Sequence, residues 1–212
     1  TFVGALAGGA NTTAANNTFV GANAGLLNST GTGNTFMGKG AGDANTTAHD
    51  NTFIGTDAGG SNVTGTGNTF LGTAAGDVNT ASANTFLGAN AGGANTSAAD
   101  NTFIGTNAGL LNVTGVSNTF IGARAGDSNT ASGNTFIGKD AGGANTAGTI
   151  NTFIGSNSGT SNSTSTKNTF VGASSGQVNT GELNTFIGAN SGVANSGGDF
   201  NTFLGADAGM EL

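Results

Sequence analysis

Residues 51 to 55 read Asn-Thr-Phe-Ile-Gly, and the same five letters return at 101 to 105, 118 to 122, 134 to 138, 151 to 155 and 184 to 188. Successive side chains of an extended chain point to opposite faces. Phe therefore takes one face, while Thr and the aliphatic residue share the other. Both faces carry an apolar column, and this period-two pattern predicts short strands.

Asn-Thr-Phe begins at 17, 34, 51, 68, 84, 101, 118, 134, 151, 168, 184 and 201, with Thr1-Phe2 as a thirteenth copy. The spacings are 17 or 16 residues, and a second Asn follows the first by eleven residues (Asn17 to Asn28, Asn84 to Asn95, Asn184 to Asn195). All length variation thus falls after the second Asn. The shorter repeat starts at Asn68, Asn118 and Asn168, a fifty-residue superperiod whose simplest origin is duplication of three-repeat blocks. Gly stands at the fifth and ninth places of each repeat, as at Gly21 and Gly25, Gly55 and Gly59, Gly105 and Gly109. Fixed glycines mark positive φ or close backbone approach, so the chain turns at the same points each time, and that spacing excludes a helix.

Short extended pieces between glycine corners predict an all-β fold, a parallel β-solenoid of about 13 rungs of 16 or 17 residues. At roughly 4.8 Å per rung the array would be about 60 Å long. It is expected to form one β-roll array over residues 1–209. Residues 210–212 (Met-Glu-Leu) would end the pattern and begin a neck or another module. Asn at two places in each rung is expected to form ladders along the stack, as stacked amides do in cross-β structures.

One apolar column is Phe2, Phe19, Phe36, Phe53, Phe70, Phe86, Phe103, Phe120, Phe136, Phe153, Phe170, Phe186 and Phe203. The other is Val3, Val20, Met37, Ile54, Leu71, Leu87, Ile104, Ile121, Ile137, Ile154, Val171, Ile187 and Leu204. A rung this short has a single interior. We assign Phe to it, because the ninth-place Gly and the Ala or Ser before it leave room inside, although the pattern alone also allows the reverse. The aliphatic column then needs a neighbour. Burying thirteen such side chains at roughly 1.5 to 3 kcal/mol each amounts to on the order of 20 to 40 kcal/mol before the costs of association, which favours an oligomer.

Composition removes several other functions. The four basic residues, Lys39, Arg124, Lys139 and Lys167, are scattered in a chain of net charge −7, which leaves no basic stripe for nucleic acid. The absence of Cys removes thiol catalysis, disulfides and zinc thiolates, and fits an exported protein. No apolar run is long enough to insert in a membrane, and the start at Thr1, inside a repeat, is expected of a piece of a longer protein. Nearly every residue belongs to the repeat, so we expect no enzyme, no cofactor and no metal site. His49 reads as a turn residue, and Asp43, Asp77, Asp127, Asp50 and Asp100 read as turn charges, because the roll-type calcium motif is missing. The triplets at Asn28, Asn62 and Asn112 match the glycosylation pattern but are expected by chance in such a composition.

Asn-Thr-Phe-Ile-Gly, two residues, Ala-Gly, two residues, Asn-Thr and a Gly-containing turn resembles the head repeat of YadA-like trimeric autotransporter adhesins. It is also similar to the Asn-Thr-aliphatic-Gly arrays of bacterial surface fibres and phage tail-fibre-like proteins. The resemblance covers all thirteen repeats. It implies a left-handed roll, a homotrimer with chains intertwined or side by side, and an extracellular location on a cell surface, virion or tail fibre. A tip outside this chain would bind a cell-surface receptor or glycan. The rungs are longer than the adhesin-head repeat, and Phe replaces a small residue. Two rival functions remain. One is ice binding through the Thr and Ser after the second Asn (Thr12, Ser29, Thr46, Thr80, Thr96), a column that Val63 and Val113 interrupt. The other is end-to-end assembly into a filament.

Overall fold

The computed structural model describes residues 1–210. The expected end of the pattern at Glu211 and Leu212 lies outside the described residues. The described chain contains thirteen strands and no helix. It divides into two compact units, Thr1–Thr106 and Asn107–Leu212.

The first unit contains β1 (Phe2–Val3), β2 (Thr18–Val20), β3 (Thr35–Met37), β4 (Thr52–Ile54), β5 (Thr69–Leu71), β6 (Thr85–Leu87) and β7 (Thr102–Ile104). Each strand pairs in parallel with the next, and like residues face like: Thr35 with Thr52, Phe36 with Phe53, Met37 with Ile54. The second unit repeats this with β8 (Thr119–Ile121), β9 (Thr135–Ile137), β10 (Thr152–Ile154), β11 (Thr169–Val171), β12 (Thr185–Ile187) and β13 (Thr202–Leu204). The fold is therefore a parallel β-solenoid, one strand per rung.

Phe fills each interior. Phe19 through Phe186 have no exposed surface. Their rings stack with centroids 4.8 to 5.0 Å apart in the first unit and 4.8 to 4.9 Å apart in the second. The Ala or Ser of the eighth place, such as Ala58, Ala125 and Ser175, is buried beside them. The ninth-place Gly has φ near +57°, and its neighbour is the ring of its own rung: a Cβ at Gly59 would lie 2.6 Å from Phe53 Cε2. The fifth-place Gly answers a different need. It runs at φ near +140°, and a Cβ there would meet the carbonyl of the equivalent Gly one rung on.

The two Asn columns are interior and differ in their bonding. The first Asn of a rung holds the next rung through its oxygen: Asn34 Oδ1 accepts from the Asn51 N–H at 3.0 Å. The second forms the amide-to-amide ladder, Asn45 Nδ2 donating to Asn28 Oδ1 at 2.6 Å and Asn145 Nδ2 to Asn129 Oδ1 at 2.7 Å. In most rungs both Asn also donate to a single carbonyl, as Asn51 and Asn62 do to Gly65 O at 2.8 and 2.9 Å. That shared acceptor explains the length rule. In seventeen-residue rungs the second Asn bonds a carbonyl three residues on, whereas in sixteen-residue rungs the acceptor is two residues on, as in Asn79 to Ala81. The missing residue comes out of the turn between them, and strand register is kept.

Candidate functional site

Chemistry-bearing side chains are few, and the structure disperses them. His49 lies in an exposed turn, where its Nδ1 accepts the Thr32 backbone N–H at 3.0 Å. Ser82, Ser132 and Asp199 make the same contact to the preceding rung. His49 thus acts as a turn-tying group. Among the described residues no group of three His, Cys, Asp or Glu is placed to hold a metal, and no helix is long and apolar enough to cross a membrane.

The acids have local explanations. Asp57 and Asp140 stand at φ 55° and 57°, and Asp50 and Asp100 at φ 58° and 60°. Asp tolerates the left-handed region better than most residues. Both places recur in every rung as left-handed corners that the glycine pattern did not reveal. Asp43 and Asp77 flank Gly60, where no side chain separates them. Their carboxyl pKa values are raised, chiefly by desolvation, with Asp57 adding repulsion to both. Asp127 is raised by desolvation as well. Asp140 is held below the usual carboxylate range by the hydrogen bond from Arg124, whose Nη2 lies 2.6 Å away.

Asn28, Asn62 and Asn112, the glycosylation-like positions, have no exposed surface. The chain's own interior closes them to modification.

The outer strand face is the regular surface. It carries the aliphatic column, with Met37, Leu71, Leu87, Ile154 and Ile187 between 36 and 45% exposed. Val20, Ile54, Ile104, Ile121, Ile137 and Val171 are half-buried in the same column. In each unit a Thr column runs beside it, and among the described residues the hydroxyls of Thr18, Thr35, Thr52 and Thr69 make no hydrogen bond. The other hydroxyl column behaves in the opposite way. Thr80 Oγ1 donates to Thr96 O at 2.8 Å, and Thr130 Oγ1 to Thr146 O at 2.7 Å. Those turn hydroxyls are committed within the chain.

Compared with known proteins, the chain matches no family model, no curated protein and no solved structure.

Proposed function

We propose that this chain is a structural segment of an extracellular homotrimeric fibre that presents a recognition tip to a cell surface or host. The observation that carries the reading is the outer strand face. The interior is filled by Phe with the small residues and Asn beside it, yet the strands of each unit also place Val, Ile, Leu or Met outside, in register with their neighbours in that unit. Aliphatic side chains repeated on a solvent face cost solubility, and a copy of the same column is the surface that matches their spacing. The shaft's work is mechanical. Exposed charges such as Arg124 and Lys139 lie elsewhere, paired with Asp140.

The test is the solution mass by light scattering, with refractive index for concentration because Trp and Tyr are absent. The expected mass is three times the 20.1 kDa chain. Ile121→Asp should abolish the trimer, and Arg124→Ala should leave it intact. A wild-type monomer, or a trimeric Ile121→Asp variant, overturns the reading.

A second reading is favoured by one observation, the Thr column of each unit with free hydroxyls. In a monomer the Thr and aliphatic columns of each unit offer a periodic face to ordered water, and ice binding would then use this face rather than the turn hydroxyls. Thermal hysteresis from a monomeric preparation supports it; none refutes it.

A further inference from the structure

The turn just before each Asn-Thr-Phe differs between the two units. In the first unit its left-handed residue is Asn16, Gly33, Asp50, Gly67, Ala83 or Asp100, with φ between 58° and 71°. These are small residues or ones that tolerate the conformation. In the second unit the same place passes from Ser117 and Gly133 to Ile150, Lys167, Leu183 and Phe200, at φ 57° to 73°. A β-branched Ile or a bulky Phe is an outlier in this region. Burial does not compensate, since Ile150, Leu183 and Phe200 are 60, 40 and 76% exposed. Such outliers, which cost stability while their side chains stay exposed, point to a role outside the chain.

The charges beside them indicate what covers them. Lys167 is exposed on the rung between Ile150 and Leu183, and Glu182 is exposed on the rung of Leu183. Among the described residues neither forms an ion pair. Asp199 has one oxygen engaged by the Glu182 N–H at 2.7 Å, so Glu182 is the carboxylate left free. A cation on one rung and an anion on the next, between apolar side chains, is self-complementary. A two-fold axis passing between those two rungs sets Lys167 of each copy opposite Glu182 of the other. It also lays Ile150 against the partner's Phe200.

We propose that the turns carrying Ile150, Lys167, Leu183 and Phe200 form a docking surface for a second copy of this chain, lying antiparallel. Three apolar side chains and a lysine stem fall short of the roughly 800 Å² per partner of a stable complex. The single contact is therefore weak and concentration-dependent, and it strengthens where several copies are held side by side. It is distinct from the outer strand face, and the two separate by experiment: that face sets the mass at low protein concentration, this surface its doubling at high concentration.

Sedimentation equilibrium over a wide concentration range provides the test. Wild-type protein should show reversible doubling of its base mass. Lys167→Glu and Glu182→Lys each place like charges opposite one another and should weaken doubling by about tenfold or more. An equimolar mixture of the two variants restores both pairs, and so does the double variant with itself. Both are expected to return to the wild-type range. Leu183→Asn should also weaken doubling while raising the thermal midpoint, since Asn accepts the left-handed backbone. Absence of doubling in the wild type, or no recovery in the mixture, overturns the proposal. Unchanged doubling in Leu183→Asn overturns the apolar part of the contact.

Discussion

At Gly55 the backbone runs at φ +140°, and a Cβ would meet the carbonyl of Gly72 on the next rung. At Gly67 the φ is +65°, and nothing lies within 4 Å of the added carbon. The two glycines therefore separate close approach from backbone preference. Gly67→Ala should cost about 1 kcal/mol, the left-handed penalty alone. Gly55→Ala should cost at least about 3 kcal/mol, because neither backbone can yield without parting two rungs. Urea midpoints of the two variants check this, and equal losses would refute the distinction. The glycine corners were legible because Gly is invariant at them. The other left-handed corners, at Asp57 and Asp50, were not, since Asn, Asp, Gly, Ala, Ile and Phe all occur in those columns. The signal was only an excess of Asn, Asp and Gly, easily taken for ordinary turn polarity.

Two Asn side chains share one carbonyl at Gly31, Ala48, Gly65, Ala81, Ala131, Gly148, Gly181 and Gly198, whereas the same place at Ala98, Gly115 and Ser165 takes one. This small-residue column was missed in the sequence because the turn that precedes it changes length. Asn151 shows both functions of the first column: its Nδ2 donates to Ser165 O at 2.8 Å, and its Oδ1 accepts the Asn168 N–H at 2.9 Å. Asn151→Ala strands both partners and should cost about 1 to 3 kcal/mol. Hydrogen exchange at the Asn168 amide should quicken with it; unchanged protection there would refute the assigned bond. Asn162 breaks the second ladder, for neither its amide oxygen nor its nitrogen has a partner, and the structure offers no physical reason. The alternation in Thr-Phe-Ile separated Phe from the aliphatic residue, but alternation is symmetric. Inside and outside are distinguished by the glycine that makes room for the ring, a matter of three-dimensional fit.

Across the molecule, the acids set the response to pH. Desolvation raises the folded-state pKa of Asp43, Asp77 and Asp127 above the ordinary carboxylate value. The folded chain then binds protons more readily than the unfolded one, so these groups lower stability as pH rises through the window between the two values. Asp140 has the opposite sign, its stabilisation being lost as pH falls through its depressed value. Asp43→Asn with Asp77→Asn should raise the neutral-pH melting temperature and flatten its decline from mildly acidic to neutral pH. A melting profile identical to wild type would refute the assignment. The stacked interior also has an optical consequence. Phe is the only aromatic residue type, and of its fourteen copies all but Phe200 belong to the column. The near-ultraviolet spectrum therefore reports on the core with almost no background. Parallel rings 4.8 to 4.9 Å apart, as in the second unit, are close enough for neighbouring chromophores to couple. Near-ultraviolet circular dichroism can thus follow the melting of the column without a label.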